Sequence, residues 1–134
     1  MHRARCRNRT DSHLAAAALK RRDRWQRLAL QASEQSRRAG APEIATPAKL
    51  KEFIGIAGSR IVLAESENNT RLRDALGSRP SALTLAIGPE GGWTADEFQQ
   101  FRDSGWTSAS LGDTILRAET AAIVATALAL DALR

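Results

Sequence analysis

Apolar residues recur at two different spacings along this chain. Short continuous apolar runs predict buried strands at 60–64, 83–87 and 108–111. Helices are predicted at 15–38, 48–53, 94–104 and 119–133, with a helical turn or two at 71–76. Strands that alternate with helices predict an α/β domain with a mostly parallel sheet. In the first helix, one buried face is predicted from Leu19, Trp25, Leu28, Ala29 and Ala32.

A glycine-rich turn joins the second predicted strand to a helix with a clear start. The sequence Gly88-Pro89-Glu90-Gly91-Gly92 ends the strand, and Thr94 followed by Glu97 has the spacing of a capping box. Three glycines in five positions suggest that a ligand lies against bare backbone. Ligands of parallel sheets bind at the carboxyl ends of the strands, where this loop is predicted to lie.

The loop does not match the common phosphate-binding patterns. It lacks the Gly-Lys-Ser/Thr ending of ATPase loops, and its glycines are spaced wrongly for a dinucleotide fingerprint. Glu90 would also repel a phosphate, which favours a neutral or cationic ligand. S-adenosylmethionine, a sulfonium with a flat adenine, fits. In a second loop, Ile115 and Leu116 either pack against such a flat ligand or anchor the loop to the core.

Charge is unevenly distributed along the 134 residues. Residues 1–38 carry eleven Lys/Arg and three Asp/Glu, whereas residues 39–134 carry nine and twelve. The basic third suggests contact with a polyanion such as nucleic acid, or else a solvated helix face with an arginine-rich tail. One cysteine and two histidines argue against a disulfide framework and a zinc site. No apolar run is long enough to span a membrane, so a soluble, cytoplasmic protein is predicted.

The last predicted helix is apolar nearly all round. Its sequence AAIVATALALDAL requires cover on more than one side, from a deep internal position or from a second subunit. The chain has little else to wrap the helix, so a dimer interface is favoured.

Three segments carry a resemblance to a known family. GPEGGWTADE and LGDTILRAETA, together with Arg24-Trp25, Glu34-Gln35-Ser36 and Pro42-Glu43-Ile44, resemble the RsmE-type ribosomal RNA methyltransferases of the SPOUT superfamily. The resemblance covers roughly Arg21 to the carboxyl terminus. It implies a trefoil-knotted α/β fold, S-adenosylmethionine as cofactor, and a homodimer through the carboxyl-terminal helix. It also implies methylation of N3 of a uridine in the small ribosomal subunit.

The resemblance also implies site residues. Arg117 is a candidate for stabilising the charge that develops on the uracil oxygens, and Glu119 for accepting the N3 proton. Alternatively, Arg117 pairs with a phosphate or with Glu90, and Glu119 caps the last helix. Arg22, Arg24, Arg37 and Arg38 are candidates for RNA contact. The residues implied around the cofactor are Leu63, Ile87, Gly88, Gly91, Gly92, Leu111, Gly112, Ile115 and Leu116.

The chain also departs from the family pattern. Residues 1–20 match poorly and are predicted to be a disordered or incomplete leader before a methyltransferase domain at 21–134. The family's amino-terminal PUA-like domain, opening strand and helix are expected to be missing. Arg37 and Thr114 stand where the family usually has glycine and arginine. The alternative function is therefore an inactive RNA-binding or assembly module that keeps the knotted fold.

Overall fold

A computed structural model describes residues 5–6, 12–67, 69–77, 80–112 and 116–133, with side chains from residue 17 onward. The chain divides into two units, residues 1–53 and 54–134.

The amino-terminal unit contains a parallel pair of short strands. β1 (Arg5–Cys6) pairs with β2 (Glu43–Ile44), and the long helix α1 (Ser12–Gln35) connects them; α2 (Leu50–Phe53) follows. β1 is not predicted from the sequence, because two residues are too short for an apolar pattern. α1 begins at Ser12 rather than Ala15, so residues 12–20 of the predicted leader are helical. The 48–53 helix is shorter than predicted and begins at Leu50.

Polar side chains of α1 hold β2 in place. Gln26 uses both ends of its amide: its Oε1 accepts from the Ile44 N–H at 2.8 Å, and its Nε2 donates to the Pro42 carbonyl at 2.9 Å. Arg22 Nε donates to the Ile44 carbonyl at 2.7 Å. These bonds satisfy backbone groups that a two-residue strand cannot pair by itself.

The predicted single buried face of α1 is wrong. Trp25 and Ala29 are half-buried, but Leu19 and Leu28 are 54% and 50% exposed, and Ala32 is also exposed. Leu19 and Leu28 are nine residues apart, which at 3.6 residues per turn places them on opposite sides of the helix. They therefore cannot share one buried face.

The carboxyl-terminal unit contains a three-stranded parallel sheet. Its order is β4 (Leu83–Ala86), β3 (Ser59–Leu63), β5 (Thr107–Ala109), and the helices are α3 (Leu72–Leu76), α4 (Ala95–Asp103) and α5 (Ala118–Ala132). The predicted parallel α/β architecture is confirmed, with element ends shifted by one or two residues.

The core of this unit lies around the central strand. Ile61 and Val62 are each 1% exposed, as expected for a parallel strand with neighbours on both sides. α5 contributes Ala125 and Ala129 to the core, but on its other side Ile123 is 70% exposed. Among the described residues, the apolar side chains of α5 are thus buried on one side of the helix and exposed on the other. In the described part of the chain, no helix is both long enough and apolar enough to span a bilayer.

Helix α1 ends on a residue in a left-handed conformation. Arg37 has φ 56°, its N–H donates to the Glu34 carbonyl at 3.2 Å, and the Arg38 N–H donates to the Ser33 carbonyl at 3.0 Å. This hydrogen-bond pair is a Schellman motif, whose left-handed position usually holds glycine. The structure thereby explains why a glycine is expected where Arg37 stands.

We expect Arg37→Gly to stabilise the end of α1. Glycine removes the strain of the left-handed conformation but gives the unfolded chain more conformational freedom. The net effect should raise the free energy of unfolding by about 0.5 to 1 kcal/mol. Urea titration followed by the helical circular dichroism signal measures this. Arg38→Gly is the control, since Arg38 lacks a positive φ; an equal gain in both variants would contradict the account.

Candidate functional site

The carboxyl ends of the three parallel strands meet at one edge of the sheet. Leu63 is paired with Ala109, and Val62 is paired with Ala86, so the loops after β3, β4 and β5 all begin at the same level. We call this the carboxyl edge. Ile115 lies outside the described residues. The other eight residues predicted to surround a cofactor lie at the carboxyl edge or in its loops: Leu63, Ile87, Gly88, Gly91, Gly92, Leu111, Gly112 and Leu116.

The three glycines of the loop after β4 have three different surroundings. A Cβ on Gly88 would lie 3.2 Å from Nε1 of the Trp93 indole, so this glycine makes room for the protein's own ring. Gly92 has φ 76°, and its N–H closes a turn by donating to the Pro89 carbonyl at 2.8 Å. Gly91 is exposed, and a Cβ there would meet no protein atom within 4 Å. A Cβ on Gly92 would also meet no protein atom within 4 Å, but Gly92 is half-buried and has a positive φ, so Gly91 is the exposed glycine of the described loop with open space beside it.

The segment that leaves β5 is hydrogen-bonded on both sides by the loop after β3. The Ala64 N–H donates to the Ala109 carbonyl at 3.0 Å. The Ser110 N–H donates to the Thr70 carbonyl at 2.9 Å, and the Leu72 N–H donates to the Ser110 carbonyl at 2.8 Å. Residues 64–72 therefore contact both edges of the segment 109–110. At the end of this segment Gly112 has φ 127°, a conformation that favours glycine.

Glu67 is a residue of the carboxyl edge that the sequence does not predict. Its carboxylate accepts from the Ser108 hydroxyl at 2.5 Å and from the Asn69 and Thr70 N–H groups at 2.9 and 3.2 Å. The Ser108 hydrogen bond, with the backbone bonds and the charge of Arg102, holds the pKa of Glu67 below its usual value. This carboxylate ties the loop after β3 to β5. No local pattern in the polar run 65–70 distinguishes it from its neighbours.

Arg117 and Glu119 lie together at the start of α5. Arg117 is the N-cap residue and Glu119 is in the first turn, where a negative charge is favourable, and both side chains are exposed. Within the described residues no ion pair joins Arg117 to Glu90.

The four arginines predicted to contact RNA do not have equivalent surroundings. Arg24, Arg37 and Arg38 are exposed. Arg22 is half-buried, and its Nε is already bonded to the Ile44 carbonyl at 2.7 Å. Arg22 therefore supports β2, and its predicted contact with RNA stays a prediction.

The parallel sheet with glycine-containing loops at its carboxyl edge places the carboxyl-terminal unit among the α/β ligand-binding domains. Residues 6–130 match the family of the RNA methyltransferase domain, and the chain belongs to that family. The match begins at Cys6, well before Arg21, where the sequence resemblance was expected to begin.

Several relatives carry the name ribosomal RNA small subunit methyltransferase E. The protein from Synechocystis sp. is 36% identical over 124 residues, which are 88% of this chain and 41% of the relative. The protein from Rickettsia conorii is 37% identical over 109 residues, 78% of this chain and 45% of the relative. The chain thus spans less than half the length of these relatives.

Solved structures agree with this assignment. The crystal structure of the methyltransferase E from Neisseria gonorrhoeae bound to S-adenosyl methionine superimposes with a TM-score of 0.75 at 31% identity. The superposition covers 93% of this chain and 52% of that structure.

We expect Glu67→Gln to lower stability in a pH-dependent way. Because the pKa of Glu67 is lowered in the folded state, its carboxylate stabilises the protein at pH values above the ordinary carboxyl pKa of 4.5. This contribution is lost as the pH falls through the folded-state pKa. The wild type should therefore unfold at higher urea than the variant at neutral pH, and the difference should narrow in acid.

Glu65→Gln is the matched control for this measurement. Glu65 lies in the same loop with an exposed side chain, so its variant should follow the wild type at every pH. A Glu67→Gln difference that stays constant from neutral pH into acid would contradict the role given to its carboxylate.

Proposed function

We propose that this chain carries the S-adenosylmethionine-dependent methylation of N3 of a uridine in small-subunit ribosomal RNA, in the cytoplasm. The observation that carries the proposal is the open backbone at Gly91 on the carboxyl edge of a chain in the RNA methyltransferase family. A relative solved with S-adenosyl methionine supports the choice of cofactor.

The residues at the carboxyl edge fit such a cofactor. The space beside Gly91 is free of protein atoms within 4 Å of an added Cβ, so a ligand can approach the backbone closely there. Ile87, Leu111 and Leu116 are half-buried and leave apolar surface for a flat ring. We propose that these residues hold the cofactor together with Leu63, Gly88, Gly92, Gly112 and Ile115. When bound, the cofactor supplies an electrophilic methyl group.

The chemistry required of the protein is limited. Uracil N3 carries a proton that must be lost before N3 can attack, and a carboxylate is a suitable acceptor. We propose that Glu119 accepts this proton and that Arg117 stabilises the negative charge that develops on the uracil oxygens. Both side chains are exposed at the start of α5, where a macromolecular substrate can reach them.

Exposed arginines of the amino-terminal unit are proposed to contact the RNA. Arg24, Arg37 and Arg38 are free of the internal hydrogen bond that Arg22 makes, and they lie in the strongly basic part of the sequence. Such contacts to phosphates position the RNA without reading its sequence.

Two features of assembly belong to the same proposal. Hydrogen bonds from residues 64–72 to both edges of the segment 109–110 support a backbone knot, in which that segment passes through the loop after β3. The exposed side of α5, with Ile123 at 70% exposure and Ala127 one turn away, supports a homodimer through this helix.

Gly91→Val tests the cofactor site. The side chain would occupy the space beside the backbone, so binding of S-adenosylmethionine measured by calorimetry should weaken by at least about tenfold. Gly55→Val is the matched control, because Gly55 is also exposed with no atom near its added Cβ but precedes the amino end of β3. It should bind like the wild type.

The results distinguish the candidate functions. Binding by the wild type and by Gly55→Val only, followed by methyl transfer to small ribosomal subunits, supports the methyltransferase. A folded wild-type chain that retains RNA but binds no cofactor would instead favour the inactive RNA-binding module. Equal affinity of both variants for S-adenosylmethionine would show that the cofactor site does not include Gly91.

Ile123→Asp tests the dimer. A charge in the centre of an apolar interface should shift the chain to monomers in sedimentation experiments, with helix content unchanged. Ile56→Asp is the control, since Ile56 is 38% exposed and lies outside α5. If Ile123→Asp still forms a dimer, the interface does not include α5.

A further inference from the structure

We infer that Trp93 is a positioning residue, which fastens the glycine loop of residues 88–92 onto the end of β3 and so shapes the cofactor site. This inference rests on the proposed function, because it assigns the residue to the binding site proposed at the carboxyl edge. Trp93 makes this connection with its side chain, across 30 residues of sequence.

The indole of Trp93 is held at three points. Its Nε1 donates to the Leu63 carbonyl at 2.9 Å, at the carboxyl end of β3. Its ring lies against Gly88, where an added Cβ would be 3.2 to 3.4 Å from the ring atoms. It also packs edge-to-face on the fully buried Phe101, with ring centroids 4.8 Å apart. Because the indole is held from three sides, the backbone at Trp93 is held in place as well.

The turn that exposes Gly91 lies between these contacts. Gly88 precedes the turn and Trp93 follows it, and the Gly92 N–H closes the turn on the Pro89 carbonyl at 2.8 Å. Because the indole contacts Gly88 and the Leu63 carbonyl together, both ends of the loop are fixed relative to β3. A loop ordered before the ligand arrives avoids the ordering entropy of binding, which raises affinity.

Trp106 provides an internal comparison. It also packs edge-to-face on Phe101, at 4.9 Å, and its Nε1 donates to the Ile54 carbonyl at 2.7 Å. Trp106 directly precedes β5 and Ile54 precedes β3, so this bond lies at the amino end of the strands. The two indoles share a packing partner and a type of hydrogen bond, but only Trp93 contacts the glycine loop among the described residues.

The test compares Trp93→Phe with Trp106→Phe in the full chain. Each change keeps an aromatic ring against Phe101 and removes one N–H···O bond. Both variants should unfold at similarly reduced urea concentrations. Only Trp93→Phe should weaken S-adenosylmethionine binding, by roughly five- to tenfold for one hydrogen bond, with Trp106→Phe within about twofold of wild type.

Hydrogen exchange provides a readout that needs no cofactor. In the free protein, the Gly92 amide, which donates to the Pro89 carbonyl, should exchange faster in Trp93→Phe than in wild type, while Trp106→Phe should leave its exchange unchanged. A residue with only a general role in stability would affect this amide equally in both variants.

The outcomes separate the two proposals. Loss of affinity and faster loop exchange in Trp93→Phe alone supports the positioning role. Wild-type-like affinity and exchange in Trp93→Phe, or equal changes in both variants, would overturn it. If the wild type binds no S-adenosylmethionine, the proposed function is overturned. If loop exchange is nevertheless faster in Trp93→Phe alone, Trp93 remains the residue that fastens the loop.

Discussion

The pairing of β3 with a parallel strand on each side is the constraint on which the carboxyl-terminal unit depends. It buries Ile61 and Val62 and places Leu63 level with the ends of β4 and β5. Parallel strands cannot be joined by tight turns, so each connection leaves the carboxyl edge, passes through a helix and enters the next strand at its amino end. Three loops that are far apart in sequence therefore meet at the carboxyl edge.

The carboxyl edge is filled partly by the protein itself. The Trp93 indole occupies the space beside Gly88. The Glu67 carboxylate accepts hydrogen bonds from the Ser108 hydroxyl and from two backbone N–H groups. These contacts satisfy polar groups that strand ends leave unpaired. They leave bare backbone open at Gly91, so the protein's own packing defines where an external ligand can approach.

The amino-terminal unit is stabilised differently. Among its described side chains only Ala18 and Ser33 are buried, which leaves little apolar area to hold the unit together. Hydrogen bonds from Gln26 and Arg22 to β2 do much of the positioning instead. Arg22, one of the four arginines predicted to contact RNA, thus also supports the fold, whereas Arg24, Arg37 and Arg38 are exposed.

Local patterns in the sequence were sufficient for the family and for the elements of the carboxyl-terminal unit, but not for the short strands β1 and β2. The Thr94–Glu97 capping box and the alternation of strands with helices depend on neighbouring residues, and the structure confirms both. The single buried face predicted from the apolar spacing in α1 was wrong. The resemblance singled out Arg37, where the family usually has glycine, but the left-handed conformation of this residue is seen only in the structure. The partners of individual side chains were not predictable from the sequence either, because Arg22, Trp93 and Ser108 bond to groups 22, 30 and 41 residues away. Strand pairing brings those groups together, so only the tertiary structure decided which glycine packs against the protein's own indole and which has open space beside it.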